Sequence, residues 1–71
     1  MPDTVLIFGK DACPYTTAAR KDYQSRAVPF EYLNVQKDAA ALARMLAHSD
    51  GMRQVPVIVE AGKVTIGFGG T

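Results

Sequence analysis

The chain has 71 residues, of which 48% are hydrophobic, and its formal net charge is +1. This length predicts a single domain over residues 1–71, near the lower size limit for folding on a hydrophobic core alone. The hydrophobic content argues against disorder, and scattered charges of both signs give no electrostatic reason to expect nucleic acid or an anionic membrane as a partner.

No leader segment and no membrane span are evident, because no apolar run approaches the ~18 residues that a spanning helix needs. The single cysteine excludes a disulfide within the chain, and an unpaired thiol suits a reducing compartment. We therefore expect a soluble, cytoplasmic and monomeric protein.

The first half of the chain predicts a strand, a helix and a second strand. Residues 4–8 form a continuous apolar run, typical of a strand buried on both faces of a mostly parallel sheet. From Pro14 to about Arg26, residues recur at three- and four-residue intervals, which indicates a helix. Its buried side is predicted to carry Thr16, Ala19, Tyr23 and Ala27. Pro29 ends this helix, and the aromatic and β-branched residues at 30–35 predict a strand.

The second half predicts a helix followed by a hairpin. Asp38 can cap the helix, and Gly51 is its expected stop. The apolar side of this helix carries Leu42, Met45 and Leu46. Residues 55–60 predict a third strand, and Gly62 marks a turn into a fourth at 63–66.

The predicted order is therefore β-α-β-α-β-β. The helix between the first two strands requires a parallel pair with a right-handed crossover, whereas the Gly62 turn requires an antiparallel hairpin. One mixed four-stranded sheet with helices packed on it satisfies both requirements, which places the chain in the α/β class.

Cys13 lies between the first strand and the first helix. Pro14 suits the first helical position, because it has no N–H and a fixed φ. The thiol is therefore expected beside the unpaired N–H groups and the positive dipole end of the helix, which stabilise a thiolate. Since the thiolate is the reactive form, Cys13 is predicted to be a redox nucleophile rather than a small buried apolar residue.

Three nearby or isolated polar residues allow more than one interpretation. Lys10 can add positive potential at the thiolate, or it is an ordinary solvated lysine. Thr16 is either a plain helix residue or a hydroxyl donor to the Cys13 sulfur. We take Cys13 and Thr16 as the candidate catalytic residues. His48 has no cysteine or carboxylate at ligand spacing, so no metal is expected.

The chain resembles the glutaredoxins, within the thioredoxin-like fold, over nearly its whole length. The residues that carry this resemblance are Ile7-Phe8-Gly9-Lys10, Cys13-Pro14-Tyr15, Val28-Pro29-Phe30-Glu31-Tyr32 and Val55-Pro56. Cys-Pro-Tyr at a strand-to-helix turn, with Val-Pro about forty residues later, is a specific signal, whereas a lone cysteine before a proline is not.

The resemblance implies glutathione as cosubstrate and glutathionylated or disulfide-containing proteins as partners. It makes Pro56 a cis-proline facing Cys13, so that the Val55 backbone can pair with glutathione as a strand does. Four further residues are implied as glutathione contacts, with Gln54 standing where glutaredoxins usually have threonine. They are Lys10, Tyr15, Gln54 and Gly67.

Three departures from the glutaredoxin pattern leave alternatives open. Thr16 replaces the second active-site cysteine, so a monothiol cycle is expected, in which a thiol from solution resolves the mixed disulfide. The segments 53–58 and 67–68 resemble the glutaredoxin-like hydrogen donors of ribonucleotide reductase, which accept electrons from thioredoxin reductase. The sequence stops near Thr71, where family members usually begin a last helix, so this helix is expected to be missing.

Besides the monothiol oxidoreductase, the alternatives are therefore an electron carrier served by thioredoxin reductase, a dimer sharing an iron–sulfur cluster, and a redox-inert binding module. The iron–sulfur class has a Cys-Gly-Phe-Ser site, and Pro14-Tyr15 is bulkier. Relatives with selenocysteine at the position of Cys13 and threonine at that of Thr16 also exist, so a cysteine in place of selenocysteine is a further possibility.

Overall fold

A computed structural model describes residues 4–67, which form six elements in the predicted order. The elements are β1 (Val5–Gly9), α1 (Pro14–Ser25), β2 (Phe30–Asn34), α2 (Ala39–Ser49), β3 (Val57–Glu60) and β4 (Lys63–Ile66). Phe68 and the chain end, where the helix typical of the family was expected to be missing, lie outside the described residues.

The strands form one mixed sheet in the order β2-β1-β3-β4. β1 pairs with β2 in parallel, and it pairs with β3 antiparallel, with Phe8 opposite Val57. β3 and β4 form the antiparallel hairpin. The predicted mixed four-stranded sheet and the thioredoxin-like α/β fold are therefore confirmed.

The two helices pack on opposite faces of the sheet, because strand side chains alternate between its faces. On the α1 face, Ala19 and Tyr23 pack with alternate strand residues, and the Tyr23 hydroxyl donates to Glu60 Oε1 at 2.9 Å. On the α2 face, Met45 packs against the other set of strand residues, with Leu42 and Leu46 at its margin. Neither helix, with 12 and 11 residues, is long enough to cross a membrane.

Both ends of α2 are stabilised by the residues that the sequence indicated. The Asp38 carboxylate accepts from the N–H groups of Ala40 and Ala41 at 3.0 and 3.4 Å. At the other end, Gly51 has φ +86°, and its N–H donates to the Leu46 carbonyl at 2.9 Å. Asp50 precedes it with φ 58°, a left-handed conformation that Asp tolerates better than most residues.

The structure corrects the predicted start of β3 and one residue of the predicted buried face of α1. β3 begins at Val57 instead of Val55, because the Val55–Pro56 peptide bond is cis and the chain enters the sheet only after it. Ala27 is exposed, because α1 has already ended in a Schellman motif. In this motif the Ala27 and Val28 N–H groups donate to the carbonyls of Gln24 and Tyr23.

Ala27 adopts φ 57°, which costs an L-residue roughly 1–2 kcal/mol that glycine avoids. We expect Ala27→Gly to raise the free energy of unfolding by about 0.5–1 kcal/mol, after the entropy that glycine adds to the unfolded chain is subtracted. Urea unfolding measures the change. Ala18→Gly, at an exposed position inside α1, is the matched control and should lower the free energy of unfolding by about 1 kcal/mol. Equal losses in both variants would contradict the left-handed conformation of Ala27.

Candidate active site

The candidate site lies at the sheet edge where β1 ends and α1 begins. The chain turns after Gly9, and the Cys13 N–H donates to the Lys10 carbonyl at 3.2 Å. Cys13 is the N-cap of α1, with φ −89° and ψ 117°, and its carbonyl accepts from the Thr17 N–H at 3.1 Å. Pro14 occupies the first helical position, so the sequence indicated this turn correctly.

The environment of Cys13 lowers the pKa of its thiol. Burial alone would raise the pKa, because it disfavours the charged form. Hydrogen bonding to the sulfur from the Thr16 hydroxyl and from the backbone N–H groups of Thr16 and Tyr15 outweighs burial, and the positive charge of Lys10 adds to it. The result is a thiol with raised thiolate content, which is what a nucleophilic cysteine requires.

The Thr16 hydroxyl is fully buried, and no acceptor within 4–67 meets the geometry of a full hydrogen bond with it. The Cys13 thiol likewise forms no hydrogen bond of full geometry with the N–H groups of the first helical turn. The Thr16 hydroxyl and these N–H groups nevertheless lower the pKa of the thiol. A neutral thiol is a weak acceptor, whereas a thiolate is a strong one. A thiolate at Cys13 is therefore a stronger acceptor for the Thr16 hydroxyl than the neutral thiol is.

Gly9 sets the distance between α1 and the sheet at this point. A Cβ atom on Gly9 would lie 2.4 Å from Thr16 Cγ2 and 2.5 Å from Thr16 Oγ1, which is closer than real Cβ atoms approach. The absence of a side chain therefore lets the first turn of α1 rest on the end of β1. This contact fixes where the helix N-terminus, and with it the sulfur, lies.

The pairing of β1 with β3 brings the segment before Val57 to the same edge as Cys13. The Val55–Pro56 bond is cis, and Gly67, with φ +89°, donates its N–H to the Pro56 carbonyl at 2.7 Å. No backbone hydrogen bond within the described residues reaches the Val55 N–H or carbonyl. Within residues 4–67, the Val55 N–H and carbonyl are therefore left without a backbone partner, at the sheet edge where Cys13 lies.

The other predicted site residues differ in exposure. Tyr15 is 41% exposed, Gln54 is exposed, and Lys10 is partly buried. Cys13 itself is 8% exposed, between the exposed residues Ala12 and Pro14. His48 is exposed, and no group of three metal-ligating side chains occurs in the part of the chain that the structure describes.

A cluster that the sequence analysis missed anchors the loop before Cys13. The Tyr32 hydroxyl donates to Asp11 Oδ1 at 2.8 Å, and Lys37 Nζ lies 3.6 Å from Asp11 Oδ2. The hydrogen bond from Tyr32 lowers the pKa of Asp11, while burial and the Asp11 charge raise the pKa of Tyr32 to about 12. Arg20 stacks on the Tyr32 ring, 4.0 Å from its centroid. The predicted parallel pairing of β1 and β2 could have indicated this contact, because it brings the carboxyl ends of the two strands to the same edge of the sheet.

Comparison with known proteins shows what the whole chain is similar to. The sequence model of the glutaredoxin family matches residues 5–65. No curated protein matches the chain in sequence.

Several solved structures share the fold. A glutaredoxin from Archaeoglobus fulgidus is 24% identical with a TM-score of 0.82, over 97% of this chain and 78% of that one. A thioredoxin-like protein is 29% identical with a TM-score of 0.84, over 93% of this chain and 89% of its own. The glutaredoxin-like NrdH-redoxin from Escherichia coli is 24% identical with a TM-score of 0.78, over 94% of this chain and 86% of that one. That protein is described as having a thioredoxin-like activity profile.

Gly9→Ala tests the close approach of α1 to β1. The added Cβ must displace Thr16, so we expect the free energy of unfolding to fall by about 1–3 kcal/mol, the usual range for overpacking. Thr16→Ala in the same chain removes both of the closest atoms, and the double variant should recover part of the loss. A double-mutant cycle by urea unfolding gives the coupling between the two sites. Additive losses would show that the two residues do not collide.

Thr16→Val tests the hydroxyl while keeping the shape of the side chain. Removing the donor should raise the pKa of Cys13, since hydrogen bonding to the thiolate favours ionisation. A hydrogen bond to a charged group contributes about 1.5 kcal/mol or more, so alkylation of Cys13 below its pKa should slow by about tenfold. Ultraviolet thiolate absorbance against pH measures the pKa directly. Thr17→Val is the control, and an equal change in both variants would contradict the role of Thr16.

Proposed function

Because this chain belongs to the glutaredoxin family, as the match over residues 5–65 shows, we propose that it reduces glutathione mixed disulfides by a monothiol cycle at Cys13. The observation that carries this proposal is the lowered pKa of the one cysteine in the sequence, at the N-terminus of α1. Membership of the family supports a thiol–disulfide oxidoreductase, and the single cysteine thiol supports the monothiol route.

The cycle consists of two exchanges at one sulfur. The Cys13 thiolate attacks the glutathione sulfur of a mixed disulfide, forms the Cys13–glutathione disulfide and releases the substrate as a thiolate. The thiolate of a second glutathione then attacks the sulfur of the bound glutathione. Oxidised glutathione leaves, and the Cys13 thiolate is restored. Each exchange breaks one disulfide and forms another, so one glutathione thiol from solution is oxidised for each substrate thiol that is released.

The residues around Cys13 supply groups suited to a tripeptide with free carboxylates. The N–H and carbonyl of Val55, which have no backbone partner within residues 4–67, can pair with an extended peptide backbone. In the proposed complex, Lys10 binds a glutathione carboxylate, exposed Tyr15 forms one wall of the groove, and Gln54 lies at its edge. Gly67, hydrogen-bonded to Pro56, closes the groove without a side chain.

The reductant separates this proposal from an electron carrier served by thioredoxin reductase. Such a carrier normally cycles between a dithiol and an internal disulfide. In this chain the position of the second thiol is occupied by Thr16, whose hydroxyl cannot resolve a mixed disulfide. Fold similarity to NrdH-redoxin therefore does not favour that function over the monothiol cycle.

The decisive experiment measures reduction of a small neutral glutathione mixed disulfide, with glutathione or with thioredoxin reductase and NADPH as the electron source. We expect turnover with glutathione only. Cys13→Ser should abolish turnover, because no other sulfur nucleophile replaces it. Turnover with thioredoxin reductase alone, or full activity of Cys13→Ser, would overturn the mechanism.

The same assay examines Lys10 as a glutathione contact. Lys10→Ala should raise the KM for the glutathione mixed disulfide, by about fivefold if the ion pair contributes about 1 kcal/mol, and should lower kcat less. Lys63→Ala, on β4, removes the same charge at an exposed position outside the proposed groove, and it should leave KM unchanged. A similar KM in all three proteins would exclude Lys10 from the glutathione site.

A further inference from the structure

A second cavity lies between α1 and the edge strand β2, outside the proposed glutathione groove. Its volume is about 330 Å³, and it is lined by Thr17, Arg20, Lys21, Gln24 and Phe30, which we call the α1–β2 pocket. Two of these five side chains are cations, two are uncharged hydrogen-bonding groups and one is aromatic. Among the described residues, no carboxylate lines the pocket, so its chemistry suits an anion.

Neither cation of the α1–β2 pocket forms an ion pair at contact distance within residues 4–67, although the charge of Arg20 acts on Asp11 at longer range. The two ion pairs in this part of the chain are Arg26–Asp22 and Lys37–Asp11, and neither includes Arg20 or Lys21. The Nε–H of Arg20 is buried and has no acceptor there. A buried donor without an acceptor is unfavourable, so an acceptor supplied from outside would stabilise this arrangement.

Arg20 is held in place from the opposite side. Its guanidinium lies 4.0 Å from the centroid of the Tyr32 ring, and the Tyr32 hydroxyl is bonded to Asp11, two residues before Cys13. The stacked face of the guanidinium is therefore occupied, while its N–H groups stay free to bind a planar carboxylate. A pre-positioned arginine loses little side-chain entropy on binding.

The pocket continues the helix face on which the nucleophile lies. Cys13, Thr17, Arg20 and Gln24 follow one another at spacings of four, three and four residues, which places them along one side of α1. From Cys13 to Arg20 the rise along a helix is about 10 Å. An extended peptide covers that distance in about three residues, at roughly 3.3 Å each.

Resting on the function proposed above, we propose that the α1–β2 pocket binds an acidic side chain of the protein substrate, three or four residues from the cysteine that exchanges with Cys13. Arg20 and Lys21 pair with the carboxylate, Gln24 and Thr17 complete its hydrogen bonds, and the aliphatic part of the side chain packs on Phe30. The pocket would thus select among glutathionylated proteins by the sequence around their modified cysteine.

The test compares two glutathionylated peptides that differ only in charge. One carries glutamate at the third and fourth positions on both sides of the modified cysteine, and the other carries glutamine there. We expect kcat/KM to be about fivefold higher for the glutamate peptide, the factor given by about 1 kcal/mol for a partly exposed ion pair. Equal kcat/KM for the two peptides would overturn the proposal.

Two variants localise the preference. Lys21→Glu, at an exposed position, should abolish or reverse the preference for glutamate, and Gln24→Glu should weaken it by placing a carboxylate inside the pocket. Arg44→Glu changes the net charge equally on α2, across the sheet, and should retain the preference. If Arg44→Glu lowers the preference as much as Lys21→Glu does, the effect comes from overall charge and the pocket has no role.

A binding measurement separates this proposal from the catalytic one. Cys13→Ser protein is titrated with the unmodified glutamate peptide while amide resonances of residues 17–24 are followed. Chemical-shift changes at these residues, together with no turnover of the small neutral disulfide by the wild type, would contradict the proposed function but support peptide binding in the α1–β2 pocket. Shifts with inorganic phosphate and none with the peptide would identify a small-anion site and overturn the peptide proposal.

Discussion

The interaction on which the site depends joins the Cys13 sulfur to the N-terminus of α1. The N–H groups of Tyr15 and Thr16 have no partners inside the helix, and Pro14 removes the N–H that would otherwise precede them. The Cys13 sulfur lies at the N-cap, a position that serine or aspartate often occupies, but it does not form the capping hydrogen bond that their oxygens form. The same geometry that begins the helix also makes the thiol acidic, so folding and reactivity have one origin.

The rest of the architecture keeps that helix end in place. Because Gly9 has no side chain, Thr16 packs directly on the end of β1. The Asp11–Tyr32 hydrogen bond anchors the loop between β1 and α1. Antiparallel pairing of β1 with β3 brings Val55 to the same sheet edge as Cys13. Each contact involves a different neighbour of the turn. Cys13 is thus positioned from the helix side, the β2 side and the β3 side of the sheet.

Local sequence patterns predicted most of the fold, because each element carries its own periodicity and its own capping residues. Asp38 and Gly51 bracket α2 as expected, and the Gly62 turn produces the hairpin. The exceptions depend on non-local geometry. Ala27 was expected in the buried face of α1, but its left-handed conformation reflects how the chain leaves the helix. Val55 is excluded from β3 by the cis bond that follows it.

In the candidate site, too, the features set by local sequence could be predicted and those set by non-local contacts could not. The turn that holds Cys13 could be deduced from Pro14 and the preceding apolar run, and the cis form of Pro56 was implied by family resemblance. The cluster of Asp11, Tyr32, Arg20 and Lys37 could not be deduced in this way, because its members are separated by up to 26 positions in the chain and meet only through strand pairing. Sequence spacing along one element carries no information on such contacts.

The replacement of a second thiol by Thr16 has a kinetic consequence for the proposed cycle. A neighbouring thiol would attack the mixed disulfide at an effective concentration of millimolar or more, whatever the surroundings contain. With a hydroxyl in its place, release of the bound glutathione is bimolecular, and its rate is proportional to the free thiolate in solution. Turnover would then follow the supply of reduced glutathione directly, and a depleted pool would leave the protein arrested as its own adduct.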